Sequence, residues 1–134
     1  MIIDANEAIL GRLSALIAKE LLKGETVVVI NSEKIVVSGN PASVLKRFKQ
    51  KRERKDVHKG PFFPRYPDRI LKRTVRGMLP YKTSRGRTAL RKLKVYIGNP
   101  DNLKGKVVGK TAEDLRFKYV SLEQLSKKMG AKLG

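Results

Sequence analysis

The chain has 134 residues and carries 31 lysines and arginines against 12 acidic residues, a formal net charge of +19. This length suits a single domain, and a hydrophobic content of 40% predicts a folded core and not a disordered basic tail. The sequence has no apolar run near the roughly 18 residues of a membrane span, no signal-peptide pattern at its start and no cysteine. We therefore expect an intracellular, membrane-free protein with a polyanionic partner, and we exclude disulfides and thiolate chemistry.

Most of the excess charge lies between Lys46 and Lys94. This stretch holds 19 basic and three acidic residues, so it carries +16 of the total +19. Charges concentrated in this way repel one another unless a polyanion neutralises them. The neighbouring positions also offer few opposite charges for pairing along a helix. The distribution favours a nucleic-acid partner over a surface that is merely solvated.

The first elements alternate between strand and helix. Ile2-Ile3 predicts a first strand. Apolar residues recurring every three or four positions predict a helix over 9–21, with Asn6 as its N-cap and Gly24 as its stop. The β-branched run over 26–30 is apolar on both faces, so it predicts a buried central strand of a parallel sheet.

A second helix follows a short predicted strand over 35–37. Asn40 and Pro41 indicate its N-cap and first turn. Its apolar stripe ends at Phe48, and Lys49–Lys55 contains only charged residues and glutamine. Because unpaired charges are rarely buried, we expect this helix to dock by its first two turns while its far end projects.

The alternation continues through the basic stretch. Proline, glycine and aromatic residues make 56–67 an extended loop, and an apolar stripe predicts a helix over 70–78 that Pro80 ends. Ser84 is expected to cap a short helix leading into a strand over 93–97. This order of elements predicts the α/β class, with three α/β/α layers around a small, mostly parallel sheet.

The chain shows no internal repeat or domain boundary. Ser121 to Gln124 has the spacing of a capping box, which predicts a short last helix. We predict one domain with a platform that holds a basic binding region. The domain covers 1–134, the platform mainly 1–45 and 93–134, and the basic region 46–92.

Motifs for catalysis are weak. His58 is the only histidine, so a histidine pair for a metal is impossible, and no phosphate-binding glycine motif is present. The acidic residues are scattered, although Asp4, Glu7 and Glu33 could converge as metal ligands of a nuclease. We predict no catalytic residues, no metal site and no cofactor, and we keep the nuclease as an alternative.

The basic region is well suited to nucleic acid. Lysines and arginines lie on every side of the second helix, which fits insertion among several phosphate strands of a folded RNA. In the following loop Arg65 and Arg69 are interleaved with Phe62, Phe63 and Tyr66, and aromatic rings between arginines can stack on unpaired bases. For Phe62 and Phe63 the alternative is that they pin the loop to the protein. The segment from Tyr81 to Arg87 is small, cationic and glycine-containing, so its backbone can approach phosphates closely.

One block of the chain is distinctive: Arg73-Thr74-Val75-Arg76-Gly77-Met78-Leu79-Pro80, followed by Lys82-Thr83 and Arg85-Gly86. With this block the chain resembles the large-subunit ribosomal protein thirteen family. Further matches run in order along the chain: Ile9-Leu10-Gly11-Arg12-Leu13 with Ala18-Lys19, Val27-Val28-Val29-Ile30-Asn31 with Glu33, Ser38-Gly39-Asn40, Ala89-Leu90, and Leu93-Lys94-Val95-Tyr96 with Gly98. The bacterial Tyr- and His-rich segment is replaced by Lys46–Lys55 and Gly60-Pro61, which is similar to the archaeal and eukaryotic branch.

The resemblance implies an α/β domain with a four-stranded parallel sheet and no catalytic activity. It also implies a structural place in the large ribosomal subunit of the cytoplasm, with ribosomal RNA and neighbouring large-subunit proteins as partners during assembly. Arg12 becomes a candidate RNA contact, with a surface salt bridge as the alternative, and Arg76 either binds RNA or braces its helix against the next loop. The predicted RNA-binding residues are Arg12, Lys46, Arg47, Lys49, Lys51, Arg52, Arg54, Lys55, His58, Lys59, Arg65, Arg69, Arg73, Arg76, Lys82, Arg85 and Arg87.

Two other classes of function stay open at this point. An architectural DNA-binding protein would need a dimeric repeat or a groove-reading helix with Asn or Gln among its arginines, and neither is evident. A nucleic-acid-processing enzyme would need the scattered carboxylates to meet around a metal. Magnesium-dependent cleavage that is lost when one carboxylate is changed would identify the enzyme.

Overall fold

The computed structural model of the chain describes residues 1–53, 64–109, 111–112 and 118–132. Within these ranges it contains five α-helices, five short strands and one 3-10 turn. In chain order the helices and strands are β1 (Ile2–Asp4), α1 (Leu10–Leu22), β2 (Val27–Ile30), β3 (Val36–Ser38), α2 (Pro41–Glu53), α3 (Pro67–Met78), α4 (Ser84–Arg91), β4 (Leu93–Val95), β5 (Tyr119–Ser121) and α5 (Leu122–Lys128). The predicted α/β class is confirmed.

A parallel sheet with the strand order β1-β2-β4 forms the centre of the fold. Val29 of β2 lies in register with Ile3 of β1 and with Val95 of β4, and all three side chains are buried. β2 is therefore the central strand that its β-branched run predicts. No helix among the described residues has the length and apolar character needed to cross a bilayer.

The parallel sheet has three strands in the described part of the chain, and one bridging residue extends it beyond β1. Lys106 lies beside Ile3 on the outer edge of β1. The Asp4 N–H donates to the Lys106 carbonyl at 3.0 Å, and the Lys106 N–H donates to the Ile2 carbonyl at 3.1 Å. The approach requires a glycine, because a Cβ on Gly105 would stand 2.7 Å from the Asp4 nitrogen. The prediction of four parallel strands is therefore wrong for the described residues.

The strand expected over 35–37 does not join the parallel sheet. It forms β3, which pairs antiparallel with β5, and Val37 lies opposite Val120. Just beyond this pair the Gly39 N–H donates to the Lys118 carbonyl at 2.7 Å. A strand's own pattern does not specify its partner. The C-terminal segment thereby supports the chain immediately before α2.

Two predicted helix caps are wrong. Asn6 does not cap α1, because its own N–H donates to Asp4 Oδ1 at 3.0 Å in a turn that ends before the helix begins. Ser84 is the first residue of α4, and the N-cap is Thr83, whose hydroxyl accepts from the Gly86 N–H at 3.3 Å. In both cases the cap was predicted from residue type. The N-cap position is instead Ile9 in α1 and Thr83 in α4.

Other terminal signals are confirmed. The Asn40 side chain accepts from the Ala42 N–H at 3.0 Å at the start of α2. Ser121 and Gln124 form a complete capping box on α5. The strand expected over 93–97 ends earlier, at Val95.

The core lies where the helices cover the sheet. Helix α1 packs against α3 and α4, and α3 also contacts β4 and α5. Each buried leucine or isoleucine contributes about 1.5–3 kcal/mol to stability, so these contacts hold the helices in fixed positions. The largest fully buried side chains of the helices are Leu13, Ile17, Leu21, Ile70, Leu71, Leu122 and Leu125.

Candidate nucleic-acid interface

Helix α2 is buried on one side only. Val44 and Phe48 face the core, and Asn40 fixes the start of the helix. The ammonium of Lys51 lies 5.3 Å from the centre of the Phe48 ring, which is within cation–π range. The exposed cations of this helix are Lys46, Arg47, Lys49 and Lys51. This agrees with the predicted helix that docks by its first turns and presents its charge to solvent.

Helix α3 presents basic residues at two depths. Arg69 and Lys72 are exposed, whereas Arg73 and Arg76 are half-buried. The guanidinium carbon of Arg76 lies 4.2 Å from the centroid of the Tyr81 ring. Of the two roles expected for Arg76, this contact establishes the bracing of α3 against the following loop, and its partial exposure leaves donors on the surface.

Helix α4 adds further cations beside α3. Arg85 and Arg87 are exposed near its start, and Lys82 is exposed in the preceding turn. Arg87 folds back on that turn, since its Nε and one Nη donate to the carbonyls of Thr83 and Lys82, each at 3.4 Å. These long bonds restrict the direction of the guanidinium without using all its donors.

An open groove of about 600 Å³ separates the two helices, and we call it the α3–α4 groove. Its lining residues are Lys72, Arg73, Arg76, Arg87, Leu90, Arg91 and Leu93. Five of them are basic and none is acidic. Lys72 and Arg91 were missing from the residues predicted to bind RNA. Lys72 is four residues from Arg76 on α3, and Arg91 is four residues from Arg87 on α4. This spacing places each pair on the same face of its helix, so the sequence pattern could have identified them.

A second basic surface groove lies on α2. It encloses about 370 Å³, and its lining residues are Ala42, Leu45, Lys46, Lys49 and Gln50. Its two lysines are exposed, and no acidic residue lines it. Phosphates that track along α2 would therefore meet cations on either side of a shallow apolar strip.

Arg65 and Arg12 lie apart from these two helices. Arg65 is half-buried, and its guanidinium carbon lies 5.7 Å from the centroid of the Tyr66 ring. A Cβ placed on Gly130 would lie 3.5 Å from Arg65 Nη1. It therefore contacts the turn after α5. Arg12 is exposed near the start of α1, and it makes no ion pair in the part of the chain that the structure describes.

Ion pairs in the described ranges lie outside the basic region. They join Lys23 to Glu20 at 3.3 Å and Lys127 to Glu123 at 2.9 Å. Lys46, Arg47 and Lys49 of α2 and the cations of α3 and α4 thus have no salt bridge to an acidic side chain that the structure describes. Such a surface is stabilised when an external polyanion supplies the missing negative charge.

Some predicted binding residues cannot be placed. Arg54, Lys55, His58 and Lys59 lie outside the described residues, as does the side chain of Arg52. The aromatic residues Phe62 and Phe63 fall in the same range. The predictions made for them stay predictions.

The carboxylates considered for a nuclease serve the turns of the fold. Asp4 Oδ1 accepts from the Asn31 side-chain amide at 3.0 Å, and Glu33 Oε2 accepts from the Gly98 N–H at 2.8 Å. Glu7 is exposed and has a positive φ of 58°. Across the described ranges, no three His, Cys, Asp or Glu residues are close enough to hold a metal ion.

The fold and this surface define a small α/β protein with a strongly cationic face, the class that binds polyanions. The chain belongs to the ribosomal protein L13 family, because the family model described as "Ribosomal protein L13" matches residues 1–102. This confirms the resemblance found in the Val-Arg-Gly-Met-Leu-Pro block and the motifs around it.

Curated relatives match nearly the whole chain. A protein of Methanosarcina barkeri is 50% identical over 98% of both chains. One of Archaeoglobus fulgidus is 50% identical over 96% of this chain and 86% of its own, and one of Methanocaldococcus jannaschii is 48% identical over 98% of both. Each is named "Large ribosomal subunit protein uL13". These archaeal sources agree with the branch that Lys46–Lys55 and Gly60-Pro61 predict.

Proposed function

We propose that this chain is a structural constituent of the large ribosomal subunit that binds ribosomal RNA and supports subunit assembly. The observation that carries this proposal is the 50% identity, over 98% of both chains, to a protein named as a large-subunit component. The role is structural and not enzymatic, and its place is the ribosome in the cytoplasm. Its partners are the ribosomal RNA and neighbouring proteins of the large subunit.

The mechanism is charge neutralisation where RNA strands converge. Lys46, Arg47 and Lys49 of α2 and the cations of α3 and α4 are exposed or half-buried and have no described acidic partner, so phosphates can approach them. Contacts of this kind orient a protein on RNA without reading base edges. A chain that recognises RNA by shape therefore needs its helices held at fixed relative positions, which the core provides.

We assign RNA contacts to the residues that the sequence indicates. The described candidates lie on α2, on α3 and α4 with the turn between them, at Arg12 and at Arg65. We also assign the same role to Arg52, Arg54, Lys55, His58 and Lys59 from the sequence pattern. The described candidates are Arg12, Lys46, Arg47, Lys49, Lys51, Arg65, Arg69, Arg73, Arg76, Lys82, Arg85 and Arg87.

The division into a platform and a basic region is also part of the proposal. The platform comprises mainly 1–45 and 93–134, and the basic region comprises 46–92. The parallel sheet and the β3–β5 pair support this division, because every strand among the described residues lies in the platform ranges. The C-terminal segment then acts by holding β3 and the start of α2, as the bond between Gly39 and Lys118 indicates.

Sedimentation of a native lysate tests the proposal. We expect the chain to co-sediment with the large subunit at moderate salt and to be released as salt rises, because phosphate contacts weaken with ionic strength. Recovery of the chain free in solution would contradict the proposal. Recovery on DNA would favour the architectural alternative. A crosslinking map of RNA to single residues would then test each assigned contact.

A further inference from the structure

The α3–α4 groove combines an apolar floor with five basic residues, whereas the groove on α2 has two. Leu93 of β4 is 5% exposed, and Leu90 of α4 is half-buried. Both line the groove beneath a rim of arginines and lysines. Its volume of about 600 Å³ is within the range of about 300–1,000 Å³ that holds a compact organic ligand.

Two of the rim arginines are held in place before any partner binds. The guanidinium of Arg76 rests on the Tyr81 ring at 4.2 Å. The guanidinium of Arg87 is tied to two carbonyls, those of Thr83 and Lys82. Ordering these long side chains in advance lowers the entropy lost when they bind a ligand. The groove is therefore a partly preorganised anion site as well as a region of high charge.

A double-stranded RNA does not fit this combination. Its bases are stacked and paired inside the helix, and it offers proteins mainly phosphates and 2′-hydroxyls on its outer surface. A duplex lying across the rim would leave the exposed part of Leu90 facing water. An unpaired nucleotide carries an apolar base face together with flanking phosphates, so it satisfies both the floor and the rim.

We propose that the α3–α4 groove binds an unpaired nucleotide of an RNA strand, with its base against Leu90 and Leu93 and its flanking phosphates on the arginine rim. This inference rests on the proposed function and assigns one class of RNA element to one part of the surface. The rim contacts are Arg73, Arg76, Arg87 and Arg91, with Lys72 at the outer edge. The strand is recognised by its unpaired state and not by its base identity, because the floor offers no hydrogen-bond donor or acceptor from a side chain.

Binding of two RNA probes to the full chain tests this assignment. One probe is a short single-stranded RNA, and the other is a blunt RNA duplex with the same number of phosphates. The variant Leu90→Asn removes the apolar floor at similar size without adding charge. We expect it to weaken single-strand binding by about fivefold or more, the scale of one lost base contact, and to leave duplex binding unchanged.

Arg91→Gln is the matched variant on the rim. It keeps Leu90 and removes one charge, so we expect it to weaken both probes and to lower the salt slope by roughly 0.7–0.9 log units. Equal weakening of both probes by Leu90→Asn, or of neither, would overturn the assignment. So would equally strong competition by a polyglutamate peptide of the same charge, because the groove would then select charge alone.

A crosslinking measurement on the unaltered chain guards against misfolding of the variant. A single-stranded probe containing 4-thiouridine is expected to crosslink to the segment that contains Leu90 and Leu93, and a duplex probe is not. Crosslinks confined to α2 would contradict the proposal. If the chain co-sediments with the large subunit but shows no single-strand preference, only this inference fails. If it does not co-sediment, the proposed function fails first.

Discussion

The guanidinium carbon of Arg76 lies 4.2 Å above the centroid of the Tyr81 ring. Arg76 is in the last turn of α3, and Tyr81 follows Pro80 in the turn that leads to α4. This contact joins a helix to the loop behind it. A charged side chain that remains half-exposed is thereby kept at the edge of the α3–α4 groove, where its remaining donors face solvent.

Removing the Tyr81 ring should weaken the contact between α3 and the turn that follows it. We expect Tyr81→Leu to lower the free energy of unfolding by about 0.5–1 kcal/mol, because the cation then loses its aromatic face. Tyr81→Phe keeps the ring and serves as the control, with stability close to that of the unaltered chain. Urea unfolding with an unchanged slope measures both effects. Equal losses in the two variants would show that the hydroxyl, and not the ring, matters.

Alanine substitutions at Gly86 of α4 and Gly77 of α3 should change the stability of the fold in opposite directions. A Cβ on Gly86 would stand 2.0 Å from the Pro80 carbonyl oxygen, which is backbone and cannot move freely. We expect Gly86→Ala to destabilise the chain by about 3 kcal/mol, the upper part of the range for overpacking. Gly77, inside α3, has open space around it, so Gly77→Ala should stabilise by about 0.5–1 kcal/mol. Thermal or urea unfolding would detect this difference, and equal shifts would contradict it.

Two buried serines provide a test of hydrogen bonding in the core. Ser14 Oγ donates to the Leu10 carbonyl at 2.7 Å, whereas Ser126 Oγ is buried and has no hydrogen-bond partner among the described residues. Alanine at either position gains the same helix propensity, so the difference between the two variants isolates the hydrogen bond. We expect Ser126→Ala to be more stable than Ser14→Ala by about 1 kcal/mol. The reverse order of their urea midpoints would show that Ser126 is satisfied in solution.

Charge neutralisation on α2 should change RNA binding in a measurable way. We expect the double variant Lys46→Gln and Lys49→Gln to weaken binding to ribosomal RNA and to flatten its salt dependence by roughly 0.7–0.9 log units of slope for each lost phosphate contact. The matched control replaces Lys23 and Lys127 by glutamine, which removes the same amount of charge. These two lysines pair with Glu20 and Glu123 and lie outside the basic region. The slope of the control should stay near its original value. A slope unchanged in the first variant would exclude α2 from the interface.

The basic surface was predictable to a large extent, since exposure follows from charge. The lysines and arginines of α2 after Phe48 were not expected to be buried, and the described ones, Lys49 and Lys51, are exposed. The groove was not predictable in the same way. Lys72 and Arg91 belong to it because α3 and α4 both pack on α1 and β4 and leave a groove between them, and Arg65 lies elsewhere because its loop meets the turn after α5.

The local elements follow from short-range rules. The stripes of α1 and α3, the cap at Asn40 and the capping box at Ser121 are each confirmed. The predicted N-caps Asn6 and Ser84 lie three positions and one position from the observed N-caps, Ile9 and Thr83. Several polar residues can begin a helix, and the surrounding turn decides where it starts.

By itself the sequence determined the α/β class, the family, and the concentration of +16 of the net charge between Lys46 and Lys94. These depend on residue type and on spacing within one element, which the chain carries locally. Only the tertiary structure decided that β3 pairs with β5, that Lys106 bridges to the edge of the parallel sheet, and that the arginines of α3 and α4 surround an apolar floor. Contacts between distant segments depend on how complementary surfaces pack together, so no local pattern contains them.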